Sequence, residues 1–548
     1  MEEPPAEPQP DPKPDPSSGK RVAVAAAIMV AAIFLSRVLG IVRDMVVGYF
    51  FGAQVSIVAD AYKAAFSLPD LFYFLIAGGA LSSAFIPVFT EYITKGDEEN
   101  AWKVFSVFGT AIALGLTVVI IVGELFTEFF IGLLVPGFPP DKLALTVSLT
   151  RIIFPAQICF FVGGLMMSTL YVRNQFLMPA LGPVVYNVAI IVGGIIGGVF
   201  FGPYQGIYGL AWGVVIGAFV GNVLMQLWAI RRAGVRYRPS LEIRHPGVVK
   251  AFKLMLPVIL GLSLPQLCVI LTRPFASYLE QGSITWLDNA NKIMQMPLGI
   301  FAQALSVAIF PTLSRLAAEN DMRGLRNQFS LGFRSILFLT IPSSVLIIVL
   351  AEPITAVLFQ RGRWTWGDTE ATAMATVFFS IAIFAVSGQA IVNRGFYSMQ
   401  NSVIPAAVGL GATALYLVMN WFLVRTPLAH NGLALSFSIS MILSMFVLLY
   451  LLRKRIGGIN GAEIAHSVSR VMLAAAVMGL FTWACRTLLD GQLKAYGPHG
   501  MSTPLTMLEL AVCSIVGLGV YLVWVKLLRV PEAEFVLDLV RRRLKRKS

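Results

Sequence analysis

From Val22 to Leu528 the chain is a succession of long apolar runs, broken only by Pro, Gly and clusters of charge. A run of about 20 apolar residues is long enough to cross a bilayer as a helix. Here the runs fall near 22–51, 58–94, 102–134, 142–172, 178–200, 207–231, 248–280, 284–318, 325–350, 367–398, 403–424, 431–453, 464–489 and 504–528. They predict about 14 transmembrane helices, several of them long enough to tilt or to protrude into water. Hydrophobic residues make up 57% of the 548 positions and charged residues 13%. The charged share is about half that of a soluble domain. That balance excludes an ordinary soluble protein and a disordered one. The predicted fold class is an all-α polytopic membrane protein.

Charge supplies the orientation. The chain carries 42 Lys and Arg against 29 Asp and Glu, a net charge of +13. In a membrane protein that excess belongs to cytoplasmic loops, and nucleic acid is not an expected partner. With the N-terminus in the cytoplasm, most basic loop residues fall inside. The connection at 231–253 alone holds Arg231, Arg232, Arg236, Arg238, Arg244, Lys250 and Lys253. An even span count leaves both termini cytoplasmic, and the expected location is an inner (plasma) membrane.

The two halves of the chain resemble each other. Ala80-Leu81-Ser82-Ser83-Ala84-Phe85-Ile86-Pro87 matches Ala304-Leu305-Ser306-Val307-Ala308-Ile309-Phe310-Pro311. Tyr171 with Pro179-Ala180 matches Tyr397 with Pro405-Ala406, and Gly209-Leu210-Ala211 matches Gly432-Leu433-Ala434. The shifts, roughly 224, 226 and 223 positions, are nearly constant. Such a shift covers six helices, so both copies enter the membrane from the same side as a parallel repeat. The expected organisation is a disordered cytoplasmic tail (1–20), an N-lobe of six helices (21–235), a cytoplasmic linker (236–247), a C-lobe of six helices (248–456), two further helices (457–530) and a basic amphipathic cytoplasmic tail (531–548). In that tail Arg541-Arg542-Arg543-Leu544-Lys545-Arg546-Lys547 follows Phe535, Leu539 and Val540, a pattern suited to anionic lipid.

Charges inside apolar runs cost about 2.5–3.5 kcal/mol each on insertion scales, so each needs a partner or a purpose. The first helix holds Arg37, Arg43 and Asp44, the second Asp60, Lys63 and Asp70, the seventh Arg273, and the eighth Asp288 and Lys292. Arg37 and Asp44 are seven apart and share a helix face; Asp288 and Lys292 are four apart. Two readings stand. The cations line a cavity for an anionic head group, which suits the bidentate fork of Arg. Alternatively they form ion pairs that pin helices together, with Asp44, Asp60 and Asp288 as partners. Glu280 is expected at an outer interface, Arg394 to snorkel toward the cytoplasm, and Glu509 has no evident partner. Gly193, Gly194, Gly197 and Gly198 form overlapping GxxxG patterns that predict close helix packing. Pro69, Pro87, Pro155, Pro257, Pro297 and Pro311 are candidate kink positions.

Cys159, Cys268, Cys485 and Cys513 lie singly in apolar runs, without CxxC spacing, and read as buried inert thiols. The four His are scattered. No metal, cofactor or catalytic constellation is expected.

The run Ser36-Arg37-Val38-Leu39-Gly40-Ile41-Val42-Arg43-Asp44, then Asp60-Ala61 and Leu68-Pro69, resembles the opening of the MurJ (MviN) lipid II flippase family. Further matches are Pro136-Gly137-Phe138, Leu358-Phe359-Gln360-Arg361-Gly362, Gly395-Phe396-Tyr397-Ser398 and Asn431-Gly432-Leu433-Ala434-Leu435-Ser436. The resemblance covers about residues 22–530. It implies the two-lobe fold of the multidrug/oligosaccharidyl-lipid/polysaccharide exporter superfamily. It also implies movement of undecaprenyl-pyrophosphate-linked peptidoglycan precursor to the outer leaflet by alternating access. By the same resemblance Arg37, Arg43 and Asp60 are candidate substrate-binding residues and Lys292 stands where many members have Arg; Lys63 and Arg273 join the candidates from their own place among the intramembrane charges. Asp44 and Asp288 are structural ion-pair partners, the last two helices form a groove for the lipid tail, and cell-wall synthesis proteins are further partners.

The chain departs from many members in two places. Asp70-Leu71-Phe72-Tyr73-Phe74 lacks their Arg, and the eighth helix has Asn291-Lys292 with Gln295 in place of Asp-Arg followed by Glu. The cation set is thinner, and Lys63 and Arg273 are placed to compensate. A flippase for another polyprenyl-linked glycan and a non-transporting scaffold on the same fold are the alternative functions.

Overall fold

A computed structural model of the chain describes residues 16–54, 57–76, 80–173, 175–232, 234–493 and 503–533. Most of the tail expected at 1–20 and the basic run at 541–547 lie outside these residues. Every regular element described is a helix. In the first half these are α1 (Pro16–Phe51), α2 (Val58–Ala65), α3 (Ser67–Ile76), α4 (Ala80–Thr94), α5 (Glu98–Leu125), α6 (Thr127–Leu134), α7 (Pro140–Ile153), α8 (Ala156–Val172), α9 (Leu177–Phe200), α10 (Gly202–Ala218) and α11 (Met225–Arg232). The second half comprises α12 (Pro246–Ser277), α13 (Ser283–Pro297), α14 (Gln303–Ala318), α15 (Met322–Val349), α16 (Ala351–Phe359), α17 (Trp366–Ser380), α18 (Ile383–Ser398), α19 (Val403–Leu423) and α20 (His430–Ile456). Two more helices follow, α21 (Gly461–Leu493) and α22 (Thr503–Leu527). Among the described residues ten helical stretches are long and apolar enough to cross a membrane, and a bent pair, α17 with α18, makes an eleventh. The chain is a multi-pass membrane protein.

Several expected spans are broken helices. The run 58–94 is divided among α2, α3 and α4. Pro155 separates α7 from α8, and α17 meets α18 at a bend of 40°. Pro297 precedes a π-helical turn, Leu298–Ala302, that joins α13 to α14. A proline at i withholds the bond to i−4, and the ladder slips by one residue there. Pro87, Pro311 and Pro342 sit inside continuous helices. The N-terminal helix starts at Pro16, inside the segment expected to be a tail.

The repeat is visible in the element order. The succession α5, α6, α7, α8, α9 has nearly the same lengths and breaks as α15, α16, α17, α18, α19, and α10, a π-helical turn and α11 together stand where α20 runs unbroken. Both copies open on an aspartate cap: Asp97 accepts from the Asn100 amide and Asp321 from the Gly324 amide. Pro87 and Pro311 occupy corresponding helices, α4 and α14.

Packing follows small residues and apolar faces. α9 lies against α10 and α1. A Cβ on Gly197 would fall 2.1 Å from the Gly206 carbonyl, and one on Gly193 would fall 2.2 Å from the Gly209 carbonyl. Only glycine permits that approach of two backbones. In the second half α15 packs on α18 and α21, and α21 on α22. The halves meet where α12 crosses α3 and α4, α2 meets α13, and α1 meets α16. Trp286, Ile293, Phe359 and Trp364 close around Ala53 at that junction, all buried.

Candidate functional site

The intramembrane charges gather where the two halves touch. Asp44, on α1, is buried and takes a lysine on each carboxylate oxygen. Lys63 of α2 donates to Oδ1 at 2.5 Å, and Lys292 of α13 donates to Oδ2. The Arg43 Nε lies 3.9 Å from the same Oδ1. Three cations therefore surround one carboxylate, and the cluster carries a net charge of about +2 by simple count. Lys63 is buried, whereas the side chains of Arg43 and Lys292 keep 21% and 36% of their surface exposed. Those two are the members that face open space.

Arg37 lies two turns earlier on α1 and is exposed. Among the described residues it has no hydrogen-bond or ion-pair partner. Its guanidinium rests over Gly299, in the π-helical turn after α13: a Cβ there would overlap Arg37 Nη1. A cation of the first half thus lies against the second half's backbone, and a side chain at 299 would make that guanidinium shift.

Asp60 has a different environment. It is buried, and its Oδ2 accepts from Lys142 Nζ at 2.8 Å and from the Gly282 amide at 2.9 Å. Its Oδ1 accepts from the Thr285 amide at 2.9 Å and the Thr285 hydroxyl at 2.6 Å. The start of α13 has no side-chain cap of its own, since Gly282 occupies that place. A carboxylate from α2 supplies it across the junction, where free amides and the helix dipole favour negative charge. All four donors are named, so Asp60 is fully engaged in holding α2, α7 and α13 together.

Arg273 of α12 donates from Nη2 to Asp288 Oδ2 of α13 at 2.9 Å. The pair lines a cavity of about 60 Å³ with Thr272, Asn291 and Tyr416. Lys292 thus pairs with α1 and Asp288 with α12, although the two stand four apart on one helix. Asp70 has no hydrogen-bond or ion-pair partner among the described residues.

Further polar contacts fasten the same end of the bundle. The Gln54 amide donates to Asp368 Oδ1 at 2.9 Å, and Trp286 Nε1 donates to the same oxygen at 2.8 Å. Gln54 Nε2 donates to Glu280 at 3.1 Å, and Gln281 Nε2 to the Gln54 carbonyl at 2.9 Å. The Arg363 amide donates to the Tyr49 carbonyl at 2.9 Å. Glu280, expected merely at an interface, is part of this junction. Lys142, Thr285, Gln54 and Asp368 were not singled out in the sequence. Lys142 and Asp368 carried a signal, each a charge at the start of an apolar run, and Asp368 also closes a Thr-x-x-Asp capping pattern with Thr365. Arg394 lies over the Phe310 ring, 5.0 Å from its centroid. Glu509 sits 3.8 Å from Arg486, which also donates to Glu352 and to the Val349 carbonyl.

The sequence profile of the family described as "Lipid II flippase MurJ" matches residues 47–496. The chain belongs to that family. A Vibrio cholerae relative named "Probable lipid II flippase MurJ" is 31% identical over 525 residues, covering 91% of this chain and 94% of its own length. A Burkholderia cenocepacia relative named "Lipid II flippase MurJ" is 29% identical, covering 82% and 87%. The fold matches a solved structure titled "Lipid II flippase MurJ, inward closed conformation", with a TM-score of 0.74 at 22% identity over 94% of this chain and 100% of that one. A multidrug resistance MATE family transporter of the MOP superfamily shares the fold at a TM-score of 0.65 and 13% identity. The MurJ-family fold is thus the frame in which these charges stand.

Proposed function

We propose that this chain flips lipid II, the pyrophosphate-linked peptidoglycan precursor, from the inner to the outer leaflet. The observation that supports this most is the cluster around Asp44. One carboxylate holds three cations, and two of the three stay partly exposed beside the unpaired Arg37. A pyrophosphate carries the charge that such a cluster lacks, and Arg37 and Arg43 offer planar forks to its oxygens. Lys292 contributes a point charge, and Lys63 holds Asp44 in place. Asp60 and the Arg273–Asp288 pair act beside the cavity by fixing α13, on which Lys292 rides.

Transport then works by alternating access. The junction at Gln54, Asp60, Gly282 and Asp368 is the closed gate, and the cation cluster is reached from the opposite end. With the N-terminus cytoplasmic, that gate faces outward. This orientation goes with fourteen crossings, lobes at 21–235 and 248–456, a linker at 236–247, a tail groove formed by α21 and α22, and a C-terminal tail held to anionic lipid.

The test is growth after depletion of a resident lipid II flippase. Rescue by this chain, lost in Arg37→Ala and in Arg43→Ala, is the expected result. No rescue by an inserted and stable protein overturns the lipid II assignment.

A further inference from the structure

Two of the four cysteines meet. Cys485 on α21 and Cys513 on α22 stand with their sulfurs 3.7 Å apart, although 28 residues separate them in sequence. Cys513 is fully buried and Cys485 is half-buried. The setting is polar on one side. Arg486 follows Cys485 directly, and Glu509, one helical turn before Cys513, lies 3.8 Å from Arg486. Asp490 and Glu352 complete that cluster, and both keep partial exposure. The thiol pair therefore lies beside a charged cluster that gives solutes a polar approach, and it does not sit in an unbroken apolar layer. Cys159 is on α8, in the other half of the molecule, and does not compete.

We propose that Cys485 and Cys513 are a redox-active pair that forms a disulfide between α21 and α22. The sulfurs already lie 3.7 Å apart, and the bond requires them to close to about 2.05 Å. The oxidant is a disulfide-bearing compound or protein, acting by thiol–disulfide exchange. The Cys485 thiol, the more accessible of the two, gives its proton to solvent and attacks the oxidant's disulfide. One oxidant sulfur leaves as a thiol. The Cys513 thiolate then displaces the second from the mixed disulfide. Two protein thiols lose two electrons and two protons, and one oxidant disulfide becomes two thiols.

The bond would tie the two helices near the connection at 494–502, at the end of the molecule that carries the Gln54–Asp368 junction. The location in an oxidising compartment rests on the orientation given above, which places that end outside the cytoplasm. The pairing itself does not rest on it.

The experiment has two arms. In the first, full-length protein in detergent is treated with oxidised glutathione, alkylated under denaturing conditions and weighed intact. The expected result is that two of the four thiols escape alkylation and reappear after reduction. Cys159→Ser keeps the protected pair; Cys485→Ala and Cys513→Ala each free the remaining partner. Four reactive thiols after oxidant overturn the pairing. The second arm quenches whole cells with an alkylating agent before extraction. Two protected thiols are expected there too. Protection in detergent but not in cells overturns the disulfide as a state of the cellular protein and counts against the outward orientation. Loss of growth rescue with the pair intact would strike only the flippase reading.

Discussion

Two of the regions that hold buried charge in this molecule are wired differently. At the junction, two buried carboxylates reach across the chain: Asp44 takes Lys292 and Asp60 takes Thr285, from the opposite half. In the C-terminal region Arg486 gathers Glu352, Asp490 and Glu509, from helices α16, α21 and α22 that already pack on one another. Both regions satisfy the same rule, that charge in a low-dielectric interior must be paired. The difference lies in what motion would break them. Separating the halves ruptures the Asp44 and Asp60 contacts and leaves the Arg486 cluster untouched. The first set suits a gate, and the second suits a fixed joint.

The largest expected effect is at Asp44. Asp44→Ala strands the buried Lys63 and removes the partner of the more exposed Lys292, and the loss of the buried pair costs about 3–5 kcal/mol. It should lower the unfolding temperature strongly and abolish growth rescue. Adding Lys63→Met should recover much of the stability without recovering rescue; recovery of both would make the cluster merely structural. Next is Asp60→Ala, which removes a helix cap and the partner of Lys142, a loss on the order of 3 kcal/mol. A cysteine placed at Thr285 should then react faster with a maleimide from the junction side. An unchanged rate would remove Asp60 from the gate.

Arg486→Gln sharpens the contrast from the other region. It should cost about 1–3 kcal/mol in thermal unfolding while growth rescue persists. Abolished rescue at wild-type stability would show that the C-terminal joint also moves. The smallest effect is at the linker. His245 caps α12 by accepting the Gly247 amide on Nδ1, and burial together with Lys103 holds its pKa below the usual value. A base whose folded-state pKa is lowered favours the neutral form. Its contribution is complete above the unfolded pKa of roughly 6.5 and declines as pH falls below it. Amide-exchange protection at 247–250, taken relative to the intrinsic rate at each pH, should fall below that pH by an amount set by one helix cap, about 1 kcal/mol or less. His245→Asn keeps an acceptor there and should remove the pH dependence.

Much of this was legible in the sequence. Apolar runs located the helices because lipid admits few alternatives, and a nearly constant shift revealed the repeat. The charged positions were visible because charge in an apolar run is rare. Their pairings were not. Asp288 and Lys292 are neighbours on one helix, as are Asp60 and Lys63, and local spacing brings each couple together on one face. The structure separates both couples, sending each member to a different helix. Gly299 gave no signal at all, since the Arg37 guanidinium it meets comes from the other half. Glu509 had no basic residue near it in sequence because Arg486 belongs to the preceding helix.

The amino-acid sequence by itself determined that this chain crosses a membrane many times, that its halves repeat in parallel, and which few positions hold charge among apolar neighbours. These follow from hydrophobicity and periodicity, which act within one helix at a time. Only the tertiary structure decided that Asp44 binds lysines from α2 and α13, that Asp60 caps a helix of the other half, and that Cys485 meets Cys513. Each depends on where helices cross. A crossing is set by the packing of small and large side chains over whole surfaces, and no local spacing encodes it.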